Sequence, residues 1–275
     1  MINLLEKINI NNSSSILSLQ IDSSFDQVYQ LDCSLIKQEK IEIELLENAS
    51  LTLVNVINAS KKIVFNLANH SKLTFNLASF EEDFSNEVTV NMDENSEFQG
   101  AFADFSHGKS SFKLTTNLFG SEARAHWHLA TLTKENDKKD FDISFFHHAR
   151  NTYAKMENYG VCEDSSSLSF LGSSRILKGA KESATHQSAK IMVFDKKCSA
   201  KASPTLCIDE NDVLASHAAV VGQINEDHIF YLTSRGIEEK EAKKLITLGY
   251  LTPILKYFKS EEVVDLIKNQ IETRV

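Results

Sequence analysis

A chain of 275 residues with 42% hydrophobic and 24% charged side chains can bury a sizeable core, and this balance excludes an intrinsically disordered polymer. The formal net charge of -9 and pI near 5.5 disfavour nucleic acid and anionic lipid as partners, because both select basic surfaces. No apolar run approaches the roughly 20 residues that a membrane helix needs, and the opening MINLLEKININNSSS lacks the basic and then apolar regions of a secretory leader, so the expected setting is cytoplasmic.

From about Ile16 to Ile224 the apolar residues alternate, as in Ile41-Ile43-Leu45, Leu73-Phe75-Leu77 and Val88-Val90-Met92, which is strand spacing. A small polar turn recurs before the alternation resumes: ENASLTL at Glu47, NHSKLTF at Asn69, ENSEFQG at Glu94, GSEARAHW at Gly120 and EDSSSLSF at Glu163. Only 2 prolines and 9 glycines are present, so Asn, Asp and Ser must build most of these turns. The spacing is loose: Asn48, Asn69, Asn95 and Gly120 lie 21, 26 and 25 residues apart. Stacked solenoid coils and a β-sandwich account for this strand pattern equally well.

After Ile224 the period changes. Asn225 is placed to cap a helix with Glu226 and Asp227 in its first turn, and Gly236 to end it. A second helix is expected from about Glu238 to Leu248, with Ala242, Leu245, Ile246 and Gly249 at helical spacing. A third is expected to start near Ser260, with Val263, Val264, Ile267 and Ile271 inward. So small a helical unit cannot bury all of Ile229, Phe230, Tyr231, Leu245, Leu248, Tyr250 and Leu251 by itself, which points to a partner surface.

Four cysteines, Cys33, Cys162, Cys198 and Cys207, show no CxxC spacing and are expected to be free thiols. Gly120 followed by His126 and His128 reproduces the opening of a cupin metal motif, and both imidazoles would face one side of a strand. The continuation fails: Glu135 comes too late, and neither Pro204 nor Pro253 leads into the required glycine and histidine. A cupin-like metal enzyme is therefore a remote alternative. The adjacent His147 and His148 face opposite ways. No GxxxxGK[ST] loop, GxSxG elbow or HExxH helix occurs, so ATP would have to be bound by another protein.

The stretch SPTLCIDENDVLASHAAVVGQINEDHIFYLTSRGIEEKEAKKLITLGYL, from Ser203 to Leu251, closely resembles the C-terminal signature of the SufB/SufD family. DVLASHAAVVGQI matches the block around its single histidine, and FYLTSRGI and EEKEAKKLI match the helices that follow. SATHQSAKIMVFDKKCSAKASP resembles the preceding strands, whereas residues 1 to about 146 agree only in their alternation and Asn/Ser corners. The resemblance implies a mainly β protein, with a right-handed parallel β-helix over residues 1–224 and a small helical domain over residues 225–275. It also implies a scaffold subunit that pairs with SufB and binds the SufC ATPase, with no enzymatic turnover of its own and no permanently bound cofactor. A transient iron-sulfur cluster would form in the complex, and a homodimer remains open for the isolated chain. Val221, Gly222 and Gln223, and Ala218 after the histidine, look like the SufD branch. A SufB-like or merged SufB/SufD scaffold supplying its own cysteine ligand is the alternative.

By this resemblance His217 faces the SufB partner and holds the nascent cluster, and a neutral imidazole is a competent iron ligand. Cys198 lies six residues before Pro204, the register at which SufB carries its cluster-building cysteine. Cys207 is the third cluster-site candidate, although a buried, inert thiol is the expected state. Phe230, Tyr231, Arg235, Leu245, Leu248 and Tyr250 are the expected contacts to SufC.

Overall fold

The computed structural model describes residues 2–6, 15–80 and 83–275, so much of the opening stretch inspected for a leader lies outside the described residues. Seventeen strands occur among the described residues. The odd-numbered ones form one sheet in sequence order: β1 (Ile2–Asn3), β3 (Ser24–Gln30), β5 (Ser50–Val56), β7 (Lys72–Ser79), β9 (Glu97–Asp104), β11 (Arg124–Thr133), β13 (Tyr153–Cys162), β15 (Ser183–Val193) and β17 (Val213–Gln223). The even-numbered ones form the other: β2 (Ile16–Ile21), β4 (Lys40–Leu45), β6 (Lys62–Leu67), β8 (Phe84–Met92), β10 (Lys109–Leu118), β12 (Lys138–His147), β14 (Ser167–Ile176) and β16 (Ser199–Ile208). All pairings are parallel, each strand bonding the strand two positions on. The chain therefore winds as stacked coils, a parallel β-solenoid, and the antiparallel sandwich and the cupin barrel are both excluded.

The alternation noted in the sequence becomes the solenoid interior. Ile41, Ile43 and Leu45 of β4 stack beneath Ile63, Phe65 and Leu67 of β6, and Leu73, Phe75 and Leu77 of β7 close the space from the opposite sheet. Aromatic rings fill the middle coils, where Phe112 lies flat on Trp127 with centroids 5.5 Å apart. Gly100 pairs with Trp127, and a Cβ there would lie 2.5 Å from the indole, so only glycine leaves room for that ring.

The loose repeat is a widening coil. Ser50 lies opposite Lys72, 22 residues on, whereas Tyr153 lies opposite Ala184, 31 residues on, and strands lengthen in step. Each longer coil adds residues to both sheets, so no single period fits. The polar turns hold the corners by backbone conformation. Asn48, His70, Asn95, Glu122, Asn151 and Glu182 all have φ between 55° and 62°, and each amide bonds a carbonyl of the next coil's corner, as Asn95 does to Ser121 at 2.9 Å. Asparagine tolerates this left-handed region better than most residues. Histidine and glutamate at equivalent corners show that the stacked amides enforce the conformation where the side chain does not favour it.

Beyond β17 come α1 (Glu226–Thr233), α2 (Glu239–Leu251), a 3-10 segment (Thr252–Tyr257) and α3 (Glu261–Arg274). The caps are as expected: Asn225 accepts the Asp227 amide, Gly236 has φ +86°, and the Ser260 hydroxyl accepts the Val263 amide. The second helix runs on to Leu251, because Gly249 is tolerated there and the chain leaves α geometry only at Thr252-Pro253.

The second helix, the 3-10 segment and α3 fold back onto the outer face of the odd-numbered sheet. Val54, Ala78, Ala101, Ala103, Ala130, Leu132 and Val161 form an apolar, small-residue surface there, and Leu251, Ile254, Phe258, Val263, Ile267 and Ile271 bury against it. Buried charge fixes the chain end. Arg274 donates to Asp137 Oδ2 at 2.7 Å and to the Phe105 and Ser106 carbonyls, and Lys134 Nζ donates to the Arg274 carbonyl at 2.8 Å. Close by, Lys139 is fully enclosed against Asp104, 2.9 Å away, in an ion pair that is not aligned as a hydrogen bond. Burial lowers the Lys139 pKa, and the Asp104 carboxylate opposes that shift.

Candidate functional site

Among the described residues nothing stacks on the last coil. β16 and β17 each pair on one side only, with β14 and β15, so their outer edges present unpaired backbone groups. In-register pairing opposes Gln187 to His217, and Gln187 points inward, bridging the interior to Ser174 Oγ at 2.6 Å and to the Thr205 carbonyl at 3.2 Å. His217 therefore occupies an interior position that the absence of a further coil leaves exposed. Val221, in the same inward phase, and Ile208 of β16 are exposed beside it, while Leu214 at 71% exposure and Val220 at 55% stand on the outward phase of the same edge strand. This is an apolar, hydrogen-bond-competent rim around one imidazole.

Cys198 is not beside that imidazole. It sits half-buried at the corner entering β16, level with the end of β17, since Gln223 pairs with Val193 just before that corner. His217 to Gln223 spans roughly 20 Å of strand. The Cys198 thiol turns inward to the Asp164 carbonyl at 3.7 Å and toward Cys162. Burial, with a contribution from Cys162, pushes its pKa up to about 12, so it is protonated at neutral pH.

Cys207 is exposed, not buried as expected. It pairs with Arg175, and both belong to the outward phase, while Leu206 and Ile208 beside it take the inward one. The expectation followed the average burial of cysteine, and strand phase overrides it. Among the described residues no group of three or more His, Cys, Asp and Glu is arranged to hold a metal ion.

The expected helical contacts divide. Phe230 at 72% and Tyr231 at 53% stand in solvent, with the Arg235 guanidinium 4.6 Å above the Tyr231 ring. Leu245, another of the expected contacts, is also exposed. Leu248 and Tyr250 instead pack on the solenoid, Tyr250 edge-on to Tyr159 at 5.6 Å. Part of the apolar surface that called for a partner is thus covered by the chain's own sheet.

His126 and His128 do share one outer face, as their spacing required. His128, however, stacks on Tyr257 at 3.5 Å and meets Glu157 at 3.1 Å, under the 3-10 segment. Burial holds its pKa down to about 4 against the pull of Glu157. His147 is enclosed with Nδ1 2.8 Å from Thr152 Oγ1, while His148 faces outward against Phe119.

Two clusters went unnoticed in the sequence: the Asp104, Asp137, Lys139 and Arg274 group, and the Cys162 and Cys198 pair. A signal for the first existed, because Lys139 keeps the inward phase of Phe141, Ile143 and Phe145.

The family model "SUF system FeS cluster assembly, SufBD core domain" matches residues 17–250, most of the solenoid together with α1 and nearly all of α2. The chain belongs to the SufBD family. This SufBD protein is 29% identical over 180 residues to the iron-sulfur cluster assembly protein SufD of Bacillus subtilis, covering 66% of this chain and 41% of that one. It is 25% identical over 182 residues to SufB of the same bacterium, covering 63% and 39%. A SufBD family protein of Staphylococcus saprophyticus is 24% identical over 158 residues, covering 56% and 34%. Identity is higher to SufD than to SufB, in keeping with the SufD-like sequence around the histidine. The chain spans about two fifths or less of the length of these relatives, and the 3-10 segment and α3 lie beyond the matched SufBD core.

Proposed function

We propose that this SufBD protein is a SufD-like scaffold subunit for iron-sulfur cluster assembly, pairing with SufB through the open end of its solenoid and binding the SufC ATPase on the helices of residues 225–275. The observation that carries this reading is the uncapped last coil. Its two edge strands offer unpaired backbone donors and acceptors, its rim is apolar, and an inward-phase histidine stands at its centre. A sister solenoid docking end-on would satisfy the edges by strand addition and bury Leu214, Val220 and Val221. The same contact would enclose His217, whose imidazole would be one iron ligand, the remaining ligands coming from the partner. The cluster is cargo, not a resident cofactor, and a histidine among thiolates leaves it more readily transferred. The chain turns over no substrate by itself in this scheme.

Cys198 fits the ligand role poorly in the closed corner, since its thiol is protonated and turned inward. The merged SufB/SufD alternative would require that corner to open.

His217→Ala tests the proposal. An exposed side chain is removed, so stability should change by no more than about 0.5 kcal/mol. Cluster accumulation on the complex reconstituted with SufB and SufC, read by visible absorption and iron and sulfide content, should be lost. An unchanged cluster yield would refute the role of His217; intact cluster yield from a mixture in which no complex with SufB forms would refute the pairing.

A further inference from the structure

Two thiols meet inside the last enclosed corner of the solenoid. Cys162 ends β13 in the inward phase and is fully buried, its Sγ 3.2 Å from Ser166 Oγ and 3.5 Å from the Ser166 carbonyl. One coil on, Ser199 pairs with Ser167, so Cys198 stacks on Ser166 and repeats its turn. The Cys198 amide donates to the Asp195 carbonyl at 3.1 Å, as the Ser166 amide does to Glu163 at 3.3 Å. A thiol thus stands directly above the Ser166 hydroxyl that Cys162 Sγ touches at 3.2 Å, which brings the two thiols to the same corner on adjacent coils. Access is unequal: Cys198 is partly open to solvent and Cys162 is not. Cys33 lies toward the other end of the solenoid, against Asn55, and Cys207 faces outward.

We propose that Cys162 and Cys198 form a reversible intramolecular disulfide that staples the terminal coil to its neighbour, Cys198 being the thiol that reacts first and Cys162 the one that resolves it. A small-molecule disulfide such as oxidised glutathione supplies the oxidising equivalents. The Cys198 thiolate attacks one glutathione sulfur, expels the other half as a thiolate and retains a mixed disulfide. The Cys162 thiolate then attacks the Cys198 sulfur and expels the second glutathione. The protein loses two protons and two electrons, and one oxidised glutathione becomes two reduced ones. Since thiolate is the attacking species and burial disfavours it at Cys198, the first step accelerates as pH rises. The bond would fix the turn that leads into the free edge strand β16 and withdraw the Cys198 thiol from any ligand role. It stands on the chain's own geometry, whether or not Cys198 ever meets a cluster.

The experiment incubates the full reduced chain with oxidised glutathione at mildly alkaline pH, alkylates the remaining thiols and maps them by mass spectrometry. The expected result is a peptide pair joining Cys162 to Cys198, a mass lower by two hydrogens and no lasting glutathione on Cys198. In Cys162→Ser the reaction should stop at the mixed disulfide on Cys198. The new hydroxyl inherits the Ser166 partners, and an unchanged unfolding midpoint checks that the variant folds. In the unsubstituted chain, a persistent glutathione adduct at Cys198, a link from Cys198 to Cys207, or an unreacted Cys198 under conditions that oxidise the unfolded chain would each overturn the proposal.

Discussion

Arg274→Ala should detach α3 from the solenoid without unfolding the solenoid. The guanidinium is almost fully buried and makes three contacts at once, to Asp137 Oδ2 and to the Phe105 and Ser106 carbonyls. Removing one partner of a buried pair costs roughly 3–5 kcal/mol, because the other charge stays behind without compensation. The lower end applies here, since Asp137 keeps the Lys134 and Gly108 amides at 3.0 and 2.8 Å. Burial raises the Asp137 pKa, but those amides and Arg274 more than offset it, so the carboxyl sits below its usual value and remains charged in the variant. A loss of about 3 kcal/mol corresponds to roughly a hundredfold in the opening equilibrium of α3. Amide hydrogen exchange by mass spectrometry would read this directly: peptides covering residues 261–274 should exchange about a hundredfold faster, while β9 to β13 keep their protection. Unchanged exchange in α3, or equal loss throughout the solenoid, would refute the local clasp.

Lys139→Met should cost about 3–5 kcal/mol in denaturant unfolding, because it strands the Asp104 carboxylate in the interior. The double variant with Asp104→Asn should be more stable than that single one, and equal instability would mean that packing, not charge, sets the loss. Lowering the pH should weaken the fold between 6.5 and about 4, since burial depresses the pKa of both His147 and His128 to about 4. Each supports the folded state fully above 6.5, and that support is lost as pH falls toward the depressed pKa. The change is of order 3 kcal/mol for His147, His147→Gln should flatten the profile, and a thermal midpoint constant over that interval would contradict the assignment. Replacing Tyr231 and Leu245 by aspartate should leave the unfolding midpoint nearly unchanged, since both are exposed, yet remove SufC from a pull-down; retained SufC would place the docking surface elsewhere.

Much of the solenoid was legible in one dimension. Burial of every second residue in Ile41-Ile43-Leu45 or Leu73-Phe75-Leu77 reflects strand geometry alone, and the helix caps at Asn225, Gly236 and Ser260 are local chemistry. The corner repeats were legible too, although the widening coil hid their regularity. Strand direction was not, because alternation records which face is buried and is the same for a sandwich and a solenoid. Only the resemblance of residues 203–251 pointed to stacked coils before the structure did.

Cys207, Leu248 and Tyr250 mark where local reasoning fails. Cysteine is usually buried, and the sequence places Leu248 and Tyr250 at a partner surface, yet strand phase turns Cys207 outward and the packing of the tail on the sheet covers the other two. The sequence by itself determined the alternating strands, the polar corners, the three helices and the histidine that names the family. Tertiary structure alone decided that His217 stands uncovered, that Cys162 meets Cys198, and that Arg274 reaches Asp137 across 137 residues of chain. These depend on which coil lies above which and on what covers an outer face, and such long-range neighbours leave no periodic trace along the chain.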